Sequence, residues 1–432
     1  MSFHRKDTKI YRGQIAYTPE LGKLTTIKNG YIVVESSKVK GVYPTLPKEY
    51  EYTPVEDYGN KLIIPGFVDL HSHASQVANR GIGLDRELLD WLLVYTFKEE
   101  AKFSDLCYAE KAYSEYIKLL IKNGTTRAAL LGTIYRESTE LLMDIANGYG
   151  LGAVVGKVNM DREAPEYYIE NTDQSIIETE RFIHNTIWKY PLVKPIITPR
   201  FVPATTPKLM WALAQLADYY RLPVQSHLSE DKEELEYVKR LHPEFKNYVS
   251  IYNYFGLFGQ QPTIMAHCVY LSDEEIALMA RKGVYVAHCP VANFNLSGSV
   301  APIRKFLLAG INVGLGTDVG AGHAVSIKDV IWQAIQASKV YELQTNHQYK
   351  ALTTAEAFYL ATKGGGSFFG KVGSLEAGYD FDALVIDDSN ILTIHPRTIS
   401  ERLERFIYLG DDRNIIQRFI AGRKVNPLTL SV

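Results

Sequence analysis

Pro65-Gly66-Phe67-Val68-Asp69-Leu70-His71-Ser72-His73-Ala74-Ser75-Gln76 reads as an apolar strand running into two histidines one residue apart. Alternate side chains of a strand share a face, so His71 and His73 form a two-nitrogen clamp suited to a metal ion. A His-x-His pair alone says little, because paired histidines also occur in cores and on surfaces. Three later segments strengthen it. Gln225-Ser226-His227-Leu228-Ser229-Glu230, Met265-Ala266-His267-Cys268 and Gly316-Thr317-Asp318-Val319 each put a ligand-type side chain at the end of another apolar run.

Those runs belong to a longer alternation. Strands are predicted at Leu62–His71, Thr125–Leu131, Ala153–Met160, Lys194–Pro199, Pro223–His227, Thr263–His267, Val284–His288 and Asn312–Thr317. Between them, helical periodicity covers Asp105–Lys122, Asp173–Lys189, Pro207–Tyr220, Asp273–Arg281 and Ser326–Tyr341. Repeated βα units indicate a parallel sheet, and eight strands close a barrel. The expected fold is therefore α/β, a (β/α)8 TIM-type barrel whose ligands lie at the C-terminal strand ends.

Flanking the barrel, Lys9–Tyr58 is rich in β-branched and aromatic residues broken by turns such as Asn29-Gly30, and Gly373–Ile386 with Arg418–Val425 returns to the same texture. Both ends of the chain are expected to share one small β-domain, with units at 1–64, 65–370 and 371–432.

The 432 residues are 46% hydrophobic and 22% charged, ordinary for a globular protein with a sizeable core. A formal net charge of −2 with scattered basic residues gives no footprint for nucleic acid or an anionic membrane and favours a small neutral molecule as partner. Met1-Ser2-Phe3-His4-Arg5-Lys6 lacks the apolar centre of a signal peptide and no run is long enough to span a bilayer, so a cytoplasmic location is expected. Cys107, Cys268 and Cys289 contain no C-x-x-C pair and suggest no disulfide framework.

Chemically, His71, His73, His227 and Asp318 could form the shell of a catalytic metal with one position left for water. Water held there becomes a hydroxide donor near neutral pH. Glu230, three residues beyond His227, could shuttle protons, although Glu230-Asp231-Lys232-Glu233-Glu234 could equally be a solvated run. Asp318 could also take a proton from water. His267 could orient the water or approach the metal. His288 reads as structural and His323 as undecided, whereas His4, His184, His242, His347 and His395 read as solvated. Gly365–Val372 nearly matches a phosphate loop, but Val372 occupies the position that needs Ser or Thr; His242-Pro243-Glu244 lacks the P-C-x-x-C partner of cytidine-type deaminases.

Pro65–His73 with the later histidines and Gly316-Thr317-Asp318 resembles the amidohydrolase superfamily over nearly the whole chain. Within it, His73–Gln76, Leu89–Phe97, Gly156–Asp161, Ile197–Phe201, Ser226–Glu230 and Tyr408–Asn414 resemble the guanine deaminases. The resemblance implies one zinc ion, with iron an acceptable substitute, on His71, His73, His227 and Asp318, with Glu230, His267 and Asp318 catalytic. It also implies a purine held by Gln76, Arg200, Phe201 and His227, hydrolysis of guanine at C2 to xanthine and ammonia, and a homodimer. The alternatives are deamination of another aminated heterocycle, such as 8-oxoguanine, a triazine or an adenosine-like compound, or a non-catalytic scaffold. The chain departs from the resemblance at Ala292-Asn293 and in the loop Gly320–His323, positions that bear on selectivity.

Overall fold

The computed structural model describes residues 7–426, so His4 and the N-terminal hexapeptide lie outside the described residues. The apolar runs form eight parallel strands: β1 Phe67–His73, β2 Thr125–Leu131, β3 Gly152–Gly156, β4 Val193–Pro195, β5 Val224–Leu228, β6 Thr263–His267, β7 Tyr285–His288 and β8 Asn312–Leu315. β1 to β4 pair in order, as do β5 to β8. The short stretches Val158–Asn159 and Thr198–Pro199 prolong β3 and β4 and pair with each other.

Two seams join the arcs into a ring. Between β4 and β5, Ile197 N donates to Pro223 O and Gln225 N to Ile197 O, both at 2.9 Å. Between β8 and β1, Asp318 N donates to His71 O at 2.9 Å and His73 N to Val319 O at 3.1 Å. The architecture is the expected TIM-type barrel. Side-chain alternation fills it: Ala129 and Leu131 pack inside with Val68, Leu70, Ile264 and Ala287, whereas Ala128 and Leu130 pack outward against Tyr113 and Ile117 of the helix Leu106–Lys122.

The covering helices start where polar caps satisfy their first amides. Asp105 accepts from Cys107 N and Tyr108 N, Thr206 accepts from Leu209 N, and Ser272 forms a capping box with Glu275. Each expected covering helix is present, with ends within a few residues of the sequence reading.

Both chain ends build one seven-stranded sheet, in the spatial order Arg423–Val425, Ile415–Ile420, Ala383–Ile386, Val55–Pro65, Thr8–Glu20, Lys23–Glu35 and Lys38–Tyr43. The single strand expected at Leu62–His71 is in fact two. Val55–Pro65 belongs to this sheet, and the chain crosses at Gly66 into β1. A Cβ on Gly66 would lie 2.3 Å from Thr126 Cγ2, so only glycine lets the crossing pass so close to β2. All three cysteines are free. Among the described residues no helix is long and apolar enough to cross a membrane.

Candidate active site

The pairing of β1 with β2 runs Val68–Arg127, Asp69–Ala128, then Ser72–Leu130 and His73–Leu131. Three steps on β1 face two on β2, which is the count of a β-bulge. A bulge inverts side-chain parity. Val68 and Leu70 therefore point into the barrel below it, and His71 and His73 point into the barrel mouth above it. Behind the bulge, Asp69 accepts from His71 N at 3.3 Å, Thr317 N at 3.0 Å and Thr317 Oγ1 at 2.5 Å, which locks β1 to the loop carrying Asp318.

At the mouth, His73 Nε2 stands 3.1 Å from His227 Nε2, and Asp318 Oδ1 stands 3.3 Å from His71 Nε2 and 3.5 Å from His73 Nε2. His227 Nδ1 donates to the Arg200 carbonyl at 2.6 Å, leaving its Nε2 with a lone pair aimed at the cluster. Both ring nitrogens of His71 and Nδ1 of His73 are buried without a hydrogen-bond partner. Burial holds the pKa of His73 and His227 well below the usual imidazole value, so the rings stay neutral. Burial works against ionisation of Asp318, but the His71 imidazole, then His267 and His73, outweigh it and hold the carboxyl well below its usual range. Converging buried imidazoles and one carboxylate, with ring nitrogens lacking partners, fit a cation that prefers nitrogen and oxygen donors. Two overlapping sets, His71 with His73 and His227, and His71 with His267 and Asp318, each bring their donor atoms within 4.8 Å of one another.

His267 Nε2 lies 3.3 Å from Glu230 Oε2 and 3.9 Å from Asp318 Oδ2, while its Nδ1 is held 2.9 Å from Asn293 Oδ1. Burial lowers the His267 pKa to about 4. Burial, then Asp318, pushes the Glu230 carboxyl well above its usual value, so this acid is poised to carry a proton. The backbone of Ser229, His267, Cys268 and Asp318 is left-handed, with φ of 55°, 69°, 55° and 48°. Strain of this kind is concentrated where side chains must be aimed against local preference.

Beside the cluster lies a cavity lined by Gln76, Trp91, Leu92, Arg200 and Phe201 together with His73, His227, Glu230 and Asp318. Every residue read as ligand, proton carrier or purine contact is thus at or beside one cavity. His288 is buried with both ring nitrogens lacking partners and does not line the cavity, and His323 is exposed beside Asn295. His184, His347 and His395 are exposed as expected. His242 is not solvated: it is buried, with Nε2 2.9 Å from Arg162 Nη2, because the helix Lys232–Leu241 ends there against the loop carrying Arg162. The acidic run is not a solvated face either. Glu234 is buried, accepting from Glu230 N at 2.7 Å and from Tyr248 OH at 2.8 Å.

Three supporting residues escaped the sequence reading: Glu100 behind Arg200, Asn293 behind His267, and Glu234 beneath Glu230. Glu234 carried a sequence signal as the third position after the helix-capping Asp231, and Asn293 stood out in Ala292-Asn293 but without its partner His267.

Compared with known proteins, the chain matches the Amidohydrolase family over residues 62–425. It is 40% identical to a guanine deaminase of Dictyostelium discoideum over 97% of this chain and 98% of that one. Identity is likewise 40% to the guanine deaminase of Homo sapiens, over 90% of this chain and 88% of that one. The crystal structure of guanine deaminase from C. acetobutylicum, with guanine bound in its active site, superposes with a TM-score of 0.95 at 51% identity, covering 97% of this chain and all of that one. With its barrel, its His/Asp cluster and relatives aligned nearly end to end, the chain belongs to the amidohydrolase family, in its guanine deaminase branch.

Proposed function

We propose that this protein hydrolyses the C2 amino group of guanine, giving xanthine and ammonia, with one zinc ion on His71, His73, His227 and Asp318; iron is the alternative metal. The observation that carries this is the cavity itself, whose lining brings the apolar Trp91, Leu92 and Phe201 and the polar Gln76 and Arg200 together with His73, His227, Glu230 and Asp318. The C. acetobutylicum guanine deaminase, with guanine in its own active site, supports the substrate.

When bound, the ion acidifies a water so that hydroxide is available near neutral pH. The chain's own groups do the rest. Leu92, Trp91 and Phe201 exclude solvent and pack on the ring, while Arg200 and Gln76 donate to its acceptor atoms. Asp318 takes a proton from the attacking water, and His267, held through Asn293, orients that water towards C2. Glu230, kept protonated by burial, gives its proton to the ring nitrogen beside C2 and, recharged from the water, passes a second to the departing amino group.

Purified protein tests the reading when offered guanine, adenine, cytosine and 8-oxoguanine, with ammonia and xanthine scored together. Xanthine formation abolished by a chelator and restored by zinc is the expected result. A metal-loaded protein inert to guanine but active on another ring would overturn the substrate. A cytoplasmic homodimer with a barrel over 65–370 and a β-domain from 1–64 and 371–432 completes the proposal; light scattering of the purified enzyme checks the dimer.

A further inference from the structure

Glu100 is fully buried and absent from the cavity wall, yet it touches both polar groups that line the purine end. Its Oε2 accepts from Arg200 Nη1 at 2.6 Å, and its Oε1 accepts from Arg200 Nη2 at 3.4 Å and from Gln76 Nε2 at 2.8 Å. The side chains of Arg200 and Glu100 are 3% and 1% exposed, so this ion pair is almost wholly withdrawn from bulk solvent, with Arg200 facing only the cavity. Arg200 also stacks over Phe97, its Cζ 4.9 Å from the ring centre, and Phe97 and Glu100 occupy the same short helix, Phe97–Glu100.

This geometry has two chemical effects. Gln76 is fixed at both ends, because its Oε1 accepts from Gly320 N at 3.2 Å while its amide nitrogen donates to Glu100. Its carbonyl and amino ends are therefore not interchangeable, and what can address a ligand is the N–H groups of Gln76 and Arg200 not given to Glu100 and the second lone pair of Gln76 Oε1. The second effect concerns charge. A buried guanidinium without its carboxylate would be an uncompensated cation at the wall of the cavity. Paired with Glu100, that wall offers directed donors without net charge.

We propose that Glu100 is a positioning and specificity-determining residue: it aims Arg200 and Gln76 and cancels the Arg200 charge, so the cavity selects a neutral heterocycle over an anionic one. This rests on the cavity being the guanine site. Because xanthine ionises more readily than guanine, the same device weakens retention of product relative to substrate.

Zinc-loaded wild type, Glu100→Gln and Glu100→Asp are compared for kcat and KM with guanine, for zinc content, and for inhibition by xanthine at a pH where xanthine is largely the monoanion. In Glu100→Gln, KM for guanine should rise at least about tenfold with kcat changed less than about threefold and zinc unchanged. The ratio of the xanthine inhibition constant to the guanine KM should fall at least about tenfold, because the wall becomes cationic. Glu100→Asp, which keeps the charge but shortens the reach, should raise KM and leave that ratio near wild type. An unchanged ratio in Glu100→Gln, or parallel loss of zinc and kcat in both variants, overturns the proposal while guanine hydrolysis by the wild type stands. A zinc-loaded wild type inert to guanine overturns the guanine reading and this proposal together.

Discussion

The His227 ring is oriented by the hydrogen bond from its Nδ1 to the Arg200 carbonyl, and that bond commits its other nitrogen to the cluster. His227→Ala should therefore purify with little metal and little turnover; full occupancy by elemental analysis would remove it from the ligand set. Glu230→Gln should keep the metal and slow turnover by roughly 10²- to 10⁴-fold, the range for general acid–base catalysis, with unchanged kcat ending the proton-carrier role. Histidines and an aspartate at strand ends could be read from the sequence because each closes an apolar run. Glu100 and Asn293 could not, since they lie far along the chain from Arg200 and His267 and become partners only once the barrel mouth is assembled.

Elements aim these residues through local irregularities. In β1, strict alternation puts Leu70 and His71 on opposite faces, and the bulge is what brings both into the barrel. Sequence periodicity located the strand but carried no sign of the inserted residue. The crossing at Gly66 was also missed, because the apolar run continues through it without a break in character. Gly66→Ala should destabilise by about 1–3 kcal/mol through the contact with Thr126, read as a lowered denaturation midpoint.

The helix Lys232–Leu241 carries a second irregularity, a buried acid at its N-terminus. Burial pushes the Glu234 pKa from 4.5 up to about 7, so folded protein binds a proton more tightly than unfolded chain. That stabilisation is complete below about pH 4.5 and disappears as pH rises through 7. Glu234→Gln removes the dependence. Wild-type stability minus that of the variant should thus fall by roughly 2–3 kcal/mol across this interval in denaturant titrations at matched zinc, and a flat difference would contradict the buried acid.

Over the whole molecule, barrel and sheet are joined by a buried arginine on the barrel paired with two aspartates, Asp380 and Asp382, that lead into the sheet. Arg127 on β2 donates from Nε to Asp382 Oδ2 at 2.6 Å and from Nη2 to Asp382 Oδ1 at 3.2 Å, next to the strand Ala383–Ile386. Arg418 adds a bond from Nε to the Ile121 carbonyl at 2.9 Å. Asp382→Asn leaves the buried Arg127 guanidinium with only the partly exposed Asp380, 3.2 Å from Nη2, as counter-charge and should cost at most about 3–5 kcal/mol, lowering Tm for barrel and sheet in one transition. Turn-and-strand composition at both chain ends announced a shared β-domain, but which strands adjoin depends on long-range pairing that short-range pattern does not encode.

Ala383–Ile386 lies between Val55–Pro65 and Ile415–Ile420, so a strand made before the barrel finds its neighbour only after the whole barrel has been made. Throughout translation of the barrel, one edge of Val55–Pro65 has no partner strand and its backbone amides and carbonyls are free to pair with another nascent chain. The order of manufacture therefore places the greatest hazard of misassembly in the interval before Ala383–Ile386 emerges, and a message truncated after the barrel should yield aggregate rather than a smaller enzyme.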